Sequence, residues 1–170
     1  MSPSLVHQPD PELDLVMERV IDVPPALVWA AWTQPELLKR WFTPAPWTTV
    51  ECAIELCPGG RFYTVMRSPE GMDAPGTGCY LEVVENRKLV WTNALAPGFR
   101  PLPAPVASAD DCNSFLFTAV LTLQPEGQGT RYRALVIHRD AQGRKMHADM
   151  GFHEGWGAAL DQLVALMKSQ

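Results

Sequence analysis

The chain has 170 residues, of which 46% are hydrophobic and 19% are charged, and its formal net charge at pH 7 is −5. This length fits one globular domain that buries roughly 70% of its unfolded surface. The acidic balance and the lack of a basic run argue against nucleic acid and anionic membrane surfaces as partners. No apolar run approaches the roughly 20 residues that a membrane-spanning helix needs.

The N-terminal segment carries neither the basic start nor the apolar stretch of a secretory signal, so we expect a cytoplasmic protein. Residues 1–14 are polar and proline-containing, and we interpret them as a flexible lead-in to a single domain over residues 15–168. Four cysteines occur without a C-x-x-C pair. We expect them to be reduced thiols.

A β-rich run predicts the first strand over residues 15–23, which Pro24 and Pro25 end. Proline suits the first turn of a helix, so Pro25 opens one short helix and Pro35 opens a second. We interpret two of the aromatic residues of this region, Trp29 and Trp32, as core.

Apolar and polar residues then alternate with the period of a strand. The alternation predicts further strands over residues 49–56, 61–67, 77–84, 89–95, 114–123 and 130–139. Short turns between most of them favour an antiparallel meander. In the last strand the pattern places Tyr132, Ala134, Val136 and His138 on the inward face.

Residues 96–113 interrupt the strands with several prolines and no periodicity. A loop of this length inside a compact domain is often a lid or a binding loop. Phe99 and Leu102 are the side chains that a lid would use. A surface excursion explains the segment equally well.

Residues 146–167 read as one amphipathic helix. Its inward stripe is predicted to hold Met146, Met150, His153, Gly157, Leu160, Val164 and Met167. So broad an apolar face needs a large partner, and the strands supply one. The sequence therefore predicts an α+β fold in which a sheet wraps around the long C-terminal helix and leaves a cavity between them.

This order of elements, together with five segments, resembles the START-like (SRPBCC) superfamily, and within it the activator of heat-shock-protein-90 ATPase homologues, also called polyketide cyclase-like. The segments are R-V-I-D-V-P-P-A-L-V-W-A-A-W-T-Q-P-E-L-L-K-R-W-F at 19–42, C-P-G-G-R-F at 57–62, G-C-Y-L-E-V-V-E-N-R-K-L-V-W-T at 78–92, G-T-R-Y at 129–132 and G-F-H-E-G-W-G-A-A-L-D-Q-L at 151–163. The resemblance implies a helix-grip fold with a curved antiparallel sheet of six to seven strands. It leaves function open, because the superfamily includes lipid carriers, receptors, cyclases and chaperone activators.

Our leading hypothesis is the binding of a small hydrophobic ligand in this cavity. We predict that His153 binds the polar end of the ligand, with Asp149 or His138 as its partner. The predicted walls are Trp41, Phe42, Phe62, Met66, Trp91, Phe117, Met150, Trp156 and Leu160.

A second hypothesis is a cyclase- or hydrolase-like enzyme with His153 as its general base. Asp149 lies one turn before His153, at the spacing that lets a carboxylate orient an imidazole. The plainer interpretation is a histidine that lines the cavity and a carboxylate that suits the first turn of the helix. We expect no metal and no cofactor, because no H-E-x-x-H pattern occurs and His147 lies on a different side of the helix from His153.

A third hypothesis is a co-chaperone that activates a heat-shock-protein-90 ATPase. Against it, the established activators of the family carry an additional domain for which we see no room in this chain. A homodimer is also possible, because the outward faces of the strands carry apolar residues such as Leu116 and Val120.

Overall fold

The computed structural model describes residues 8–103 and 116–169. Its strands are β1 (Asp14–Ile21), β2 (Thr48–Ile54), β3 (Arg61–Arg67), β4 (Asp73–Val84), β5 (Lys88–Thr92), β6 (Leu95–Ala96), β7 (Arg100–Pro101), β8 (Phe117–Glu126) and β9 (Gly129–His138). Its helices are α1 (Pro25–Thr33), α2 (Pro35–Leu38), α3 (Ala141–Asp149) and α4 (Phe152–Lys168). The α+β class and the two short helices after the first strand are confirmed.

Seven strands form one open antiparallel sheet in the order β1-β9-β8-β5-β4-β3-β2, and β6 and β7 form a separate hairpin. The sheet is curved, so its inner face surrounds the C-terminal helix. In β9 the side chains of Tyr132, Ala134, Val136 and His138 are all buried, which confirms the predicted inward face. Strand register then places His138 opposite Phe117 and Tyr80 opposite Trp91.

The inner face of the sheet packs against α4, which buries one side of its surface in the core. The buried side chains of α4 are Phe152, Ala159, Leu160, Leu163, Leu166 and Met167. Helices α1 and α2 complete the core with Trp29, Trp32 and Leu38. The interpretation of Trp29 and Trp32 as core residues is therefore confirmed.

The C-terminal helix is not continuous, and the prediction of one helix over residues 146–167 is wrong. Helix α3 ends at Asp149, and Gly151 adopts a left-handed backbone conformation with φ of 91° before α4 begins. Glycine adopts this conformation without the steric penalty that a Cβ atom brings. Helix α3 is capped by Asp140, whose side-chain oxygen Oδ1 accepts a hydrogen bond of 2.8 Å from the amide of Gly143.

Two polar side chains fix α4 relative to the rest of the fold. Gln162 donates through Nε2 to the carbonyl oxygens of Trp41 and Thr43, both at 2.9 Å, and its Oε1 accepts from the amide of Ala45 at 2.9 Å. Arg19 of β1 donates to Asp161 Oδ1 at 2.7 Å. Helix α4 is thereby held at both sides of the fold, next to β1 and next to the segment that follows α2.

The predicted lid falls only partly within the described residues. Phe99 and Leu102 lie in and next to the β6–β7 hairpin, and both side chains are exposed. Residues 104–113 of this loop lie outside the described residues. No helix in residues 8–103 and 116–169 is both long and apolar enough to cross a membrane.

Candidate functional site

Six of the side chains predicted to line the site form a continuous series of ring contacts. In order along the series they are Trp41, Phe42, Phe62, Trp91, Phe117 and Trp156, which we call the aromatic row. Successive ring centroids lie 5.8, 5.7, 5.0, 5.4 and 6.5 Å apart. The row runs from the segment after α2, across the inner face of β3, β5 and β8, to α4.

Three polar atoms without a hydrogen-bond partner in the described residues are buried beside the aromatic row, one on α1 (Trp32 Nε1) and two on the sheet. The Tyr80 hydroxyl and Trp91 Nε1 are inaccessible to solvent, and neither has a hydrogen-bond partner among residues 8–103 and 116–169. Phe62 contacts both rings, at 5.4 Å from Tyr80 and 5.0 Å from Trp91. Most buried polar groups in folded proteins are hydrogen-bonded, so two such atoms on one stretch of sheet need an explanation.

A pair of buried histidines lies at the other end of the row. His138 of β9 and His147 of α3 are 3% and 8% exposed, and His138 Nε2 lies 2.9 Å from His147 Nδ1. His138 Nδ1 lies 2.9 Å from the carbonyl oxygen of Leu13. The His147 ring contacts Phe117 at 5.3 Å and Trp156 at 6.3 Å, so the pair adjoins the aromatic row.

Burial keeps this pair uncharged at neutral pH. Desolvation, followed by the charge of His138, lowers the pKa of His147 to about 4. Desolvation also lowers the pKa of His138, although the hydrogen bond to Leu13 and the charge of Asp14 act in the opposite direction. The pair therefore places two neutral imidazole rings beside the aromatic row.

The predicted placement of His153, Asp149 and Met150 in the interior is wrong. His153 is exposed, Met150 is 55% exposed, and the carboxylate of Asp149 pairs with Lys145 at 2.5 Å. The break at Gly151 shifts the phase of the helix, so Asp149 and Met150 do not share one stripe with the residues of α4. The buried face of α4 is centred near Leu163, and His153 lies about 80° around the helix from it.

The other predicted residues divide between core and rim. Leu160 is buried in the core, whereas Met66 is half-buried in β3. His138 pairs with His147 and not with His153. Within the described part of the chain, no three His, Cys, Asp or Glu side chains come together in a group that could hold a metal ion.

Sequence reasoning missed His147 and Tyr80. It assigned His147 to a helical face using the phase of a continuous helix, which does not hold across Gly151. Asp140 as the start of one helix and Gly151 as the start of another are the signals that could have placed His147. Tyr80 lies in a correctly predicted strand, but its lack of a partner depends on side-chain packing that strand periodicity does not describe.

An open, curved antiparallel sheet around a C-terminal helix, with two short helices after the first strand, defines the START-like helix-grip class. The chain belongs to the family described as Activator of Hsp90 ATPase homolog 1-like protein, whose model matches residues 22–168. The resemblance inferred from the sequence segments is therefore confirmed. Among curated proteins no significant match is found.

Solved structures agree with this assignment. A protein of Nitrosomonas europaea is 47% identical, with a TM-score of 0.85 over 95% of this chain and 97% of that one. A protein of Rhodobacter sphaeroides is 22% identical, with a TM-score of 0.78 over 96% and 97%. A protein of Mycobacterium smegmatis is 25% identical, with a TM-score of 0.69 over 91% and 90%.

Proposed function

We propose that this protein binds a small hydrophobic molecule, carrying a hydrogen-bonding group, between the sheet and helices α3 and α4. The observation that carries the proposal is the pair of buried polar atoms, Tyr80 OH and Trp91 Nε1. Each costs about 1–3 kcal/mol when it is left without a partner. A bound molecule that pairs with them removes this cost only while it is bound.

The aromatic row supplies the apolar surface that such a molecule would contact. Ligand sites of this kind are mostly apolar, with a few polar groups that fix the orientation of the ligand. Tyr80 and Trp91 are register partners on adjacent strands of the sheet. Side chains on strands are held more rigidly than side chains on loops. The two polar groups can therefore keep the orientation that binding requires.

The geometry around His153 gives no support to the hypothesis of an enzyme with this residue as general base. Its imidazole is exposed, and Asp149 pairs with Lys145 instead of orienting it. The chaperone-activator hypothesis stays a prediction. It is tested by adding the purified protein to the chaperone and measuring the rate of ATP hydrolysis.

Native mass spectrometry tests the binding function. The protein is measured as purified and again after incubation with 2-naphthol, a small aromatic compound with one hydroxyl, and both samples are then denatured. We expect an added mass that disappears on denaturation, and a smaller bound fraction for Trp91→Phe, which lacks Nε1. Trp47→Phe is the matched control because Trp47 is 38% exposed. A protein that is bare in both samples would contradict the proposal.

A further inference from the structure

The buried polar atoms that lack a partner in the described part of the chain are of one chemical kind. They are Trp32 Nε1, Tyr80 OH and Trp91 Nε1. An indole N–H can only donate a hydrogen bond, and a phenol hydroxyl donates one as well as accepting. No side-chain carbonyl or carboxylate oxygen is buried without a partner in residues 8–103 and 116–169. What these three atoms lack is therefore an acceptor.

One of the three donors has an acceptor beside it within the protein. Burial raises the pKa of Tyr132, and the indole N–H of Trp32, which faces its hydroxyl, acts in the opposite direction. The Tyr132 oxygen is thus an acceptor that Trp32 can use in the absence of a ligand. No such neighbour acts on Tyr80, whose pKa is raised by burial and by the Cys52 thiol. Tyr80 and Trp91 are the donors that remain for a ligand.

Tyr80 and Trp91 lie at one place on the inner face of the sheet. They are register partners on β4 and β5. Side chains of directly opposite residues on neighbouring strands share a face of the sheet. The Phe62 ring contacts both, with centroids 5.4 Å from Tyr80 and 5.0 Å from Trp91. A ligand that lies against Phe62 is therefore next to both donors.

The charges around the two donors disfavour a carboxylate. The buried polar and charged residues of the described chain include no lysine or arginine. Lys39, which acts on Cys52, is paired with Glu36 at 3.1 Å. Burial raises the pKa of Tyr80, and no cation offsets this effect. A tyrosinate would be an anion where a ligand carboxylate would lie, so this place lacks the counter-charge that a buried carboxylate needs.

Building on the ligand-binding function proposed above, we propose that Tyr80 OH and Trp91 Nε1 both donate to the ligand, whose polar group is a neutral hydrogen-bond acceptor. Ketones, esters and ethers carry such a group. A molecule that can only donate leaves Trp91 unpaired, and a carboxylate brings a charge that the site does not offset. A site built to hydrogen-bond one ligand group discriminates strongly against analogues that lack it. The class of ligand is therefore that of apolar carbonyl compounds and ethers.

Three naphthalenes of similar size test this inference at pH 7.5, by displacement of bound 2-naphthol in calorimetric titrations. 2-Acetylnaphthalene has a carbonyl that only accepts, 2-isopropylnaphthalene has a methyl group in place of that oxygen, and 2-naphthoate is an anion. The ratio of the affinities for the first two is compared between the unaltered protein and Trp91→Phe, so that their different hydrophobicity cancels. We expect this ratio to fall about tenfold in Trp91→Phe, the effect of one good hydrogen bond. We expect 2-naphthoate to bind least tightly.

A second variant, a control and a spectroscopic measurement accompany this comparison. Tyr80→Phe removes only the hydroxyl and should lower the same ratio, whereas Trp47→Phe alters an exposed tryptophan and should leave it unchanged. The infrared carbonyl stretch of 2-acetylnaphthalene bound to the unaltered protein should lie at a lower frequency than in cyclohexane, because donated hydrogen bonds weaken the C=O bond. This measurement decides even if Trp91→Phe does not fold.

Different failures have different meanings in this experiment. If 2-naphthoate binds more tightly than 2-acetylnaphthalene, or if the affinity ratio is the same in Trp91→Phe and the unaltered protein, the inference about the ligand class is wrong while the binding function stands. The inference is equally wrong if the carbonyl stretch stays at its cyclohexane frequency. If neither 2-naphthol nor 2-acetylnaphthalene binds the unaltered protein, the binding function itself fails, and the inference with it.

Discussion

Tyr80 and Trp91 are register partners in adjacent strands, and each buries a polar atom without a hydrogen-bond partner in the described part of the chain. Their rings belong to the core, so neither atom can reach water without a rearrangement. Natural proteins commonly keep such destabilising features where function needs them. Substitutions that remove these polar atoms are therefore expected to keep or raise stability and to weaken ligand binding.

Tyr80→Phe removes the buried hydroxyl and little else. We expect the free energy of unfolding to stay constant or to rise by about 1 kcal/mol, because an unpaired polar atom is replaced by an apolar edge. Affinity for 2-naphthol is expected to fall in the same variant. Urea unfolding and calorimetric titration measure the two quantities. A loss of more than about 1 kcal/mol of stability would show that the hydroxyl is satisfied in the folded protein.

Stability is expected to depend on pH through the histidine pair. Burial lowers the pKa of His147 to about 4, below its ordinary value near 6.5, so the unfolded chain binds a proton that the folded chain excludes. The stability that neutral His147 gives the folded state is fully present above about pH 6.5 and is lost as the pH falls toward about 4. Below that pH this residue causes no further change in stability.

Urea unfolding of the unaltered protein and His147→Asn at pH 7.5, 6 and 5 checks this dependence. The gap in stability between the two proteins should narrow as the pH falls, because the variant lacks the titrating group. A gap that stays constant from pH 7.5 to 5 would contradict the account.

Two glycines of the C-terminal region should respond to alanine in opposite directions. Gly151 has φ of 91°, a conformation that costs a residue with a side chain about 1–2 kcal/mol. Gly155 lies inside α4, and a Cβ atom there meets no atom within 4 Å. Gly155→Ala should therefore stabilise the protein by up to about 1 kcal/mol through helix propensity.

Urea unfolding of the two alanine variants measures both effects in the same assay. If Gly151→Ala were as stable as the unaltered protein, the break between α3 and α4 would not depend on the left-handed residue. A continuous helix over residues 146–167, as the sequence pattern suggested, would then be the better description.

Gln162 is expected to contribute more stability than the adjacent ion pair. Gln162→Glu keeps the shape of the side chain but cannot donate to the carbonyls of Trp41 and Thr43. We expect a loss of about 2 kcal/mol, since two acceptors lose their donor and face a carboxylate. Asp161→Asn disrupts only the exposed pair with Arg19 and should cost less than about 1 kcal/mol. Equal losses would mean that Gln162 does not fix α4.

The fold could be predicted from the sequence because its signals are local and repeated. The alternation of residues 130–139 identified both the strand and its inward face, including His138. The six residues of the aromatic row, predicted as walls of a ligand site, do form one series of ring contacts, because large rings at inward positions pack together. Their role in binding stays a prediction. The family segments then gave the connectivity.

The polar part of the site could not be predicted in the same way. Helical phase is cumulative, so the left-handed residue Gly151 invalidated the face assigned to His147 relative to α4. His153 lies within α4 itself, and its predicted stripe was about 80° from the centre of the buried face. His138 meets His147 because α3 packs against β9. The spacing of these two residues in the sequence does not predict this contact. Whether the Tyr80 hydroxyl has a hydrogen-bond partner depends on side-chain packing, which the sequence pattern does not predict.

The most direct test of the binding function is the indole N–H resonance of Trp91 in ¹H–¹⁵N spectra. The protein has six tryptophans, and the Trp91→Phe spectrum identifies the resonance. On titration with 2-naphthol we predict a downfield shift of this resonance, as Nε1–H gains an acceptor. The resonance of Trp47, which is exposed, should stay in place. A Trp91 resonance that does not move at saturating 2-naphthol would contradict the account.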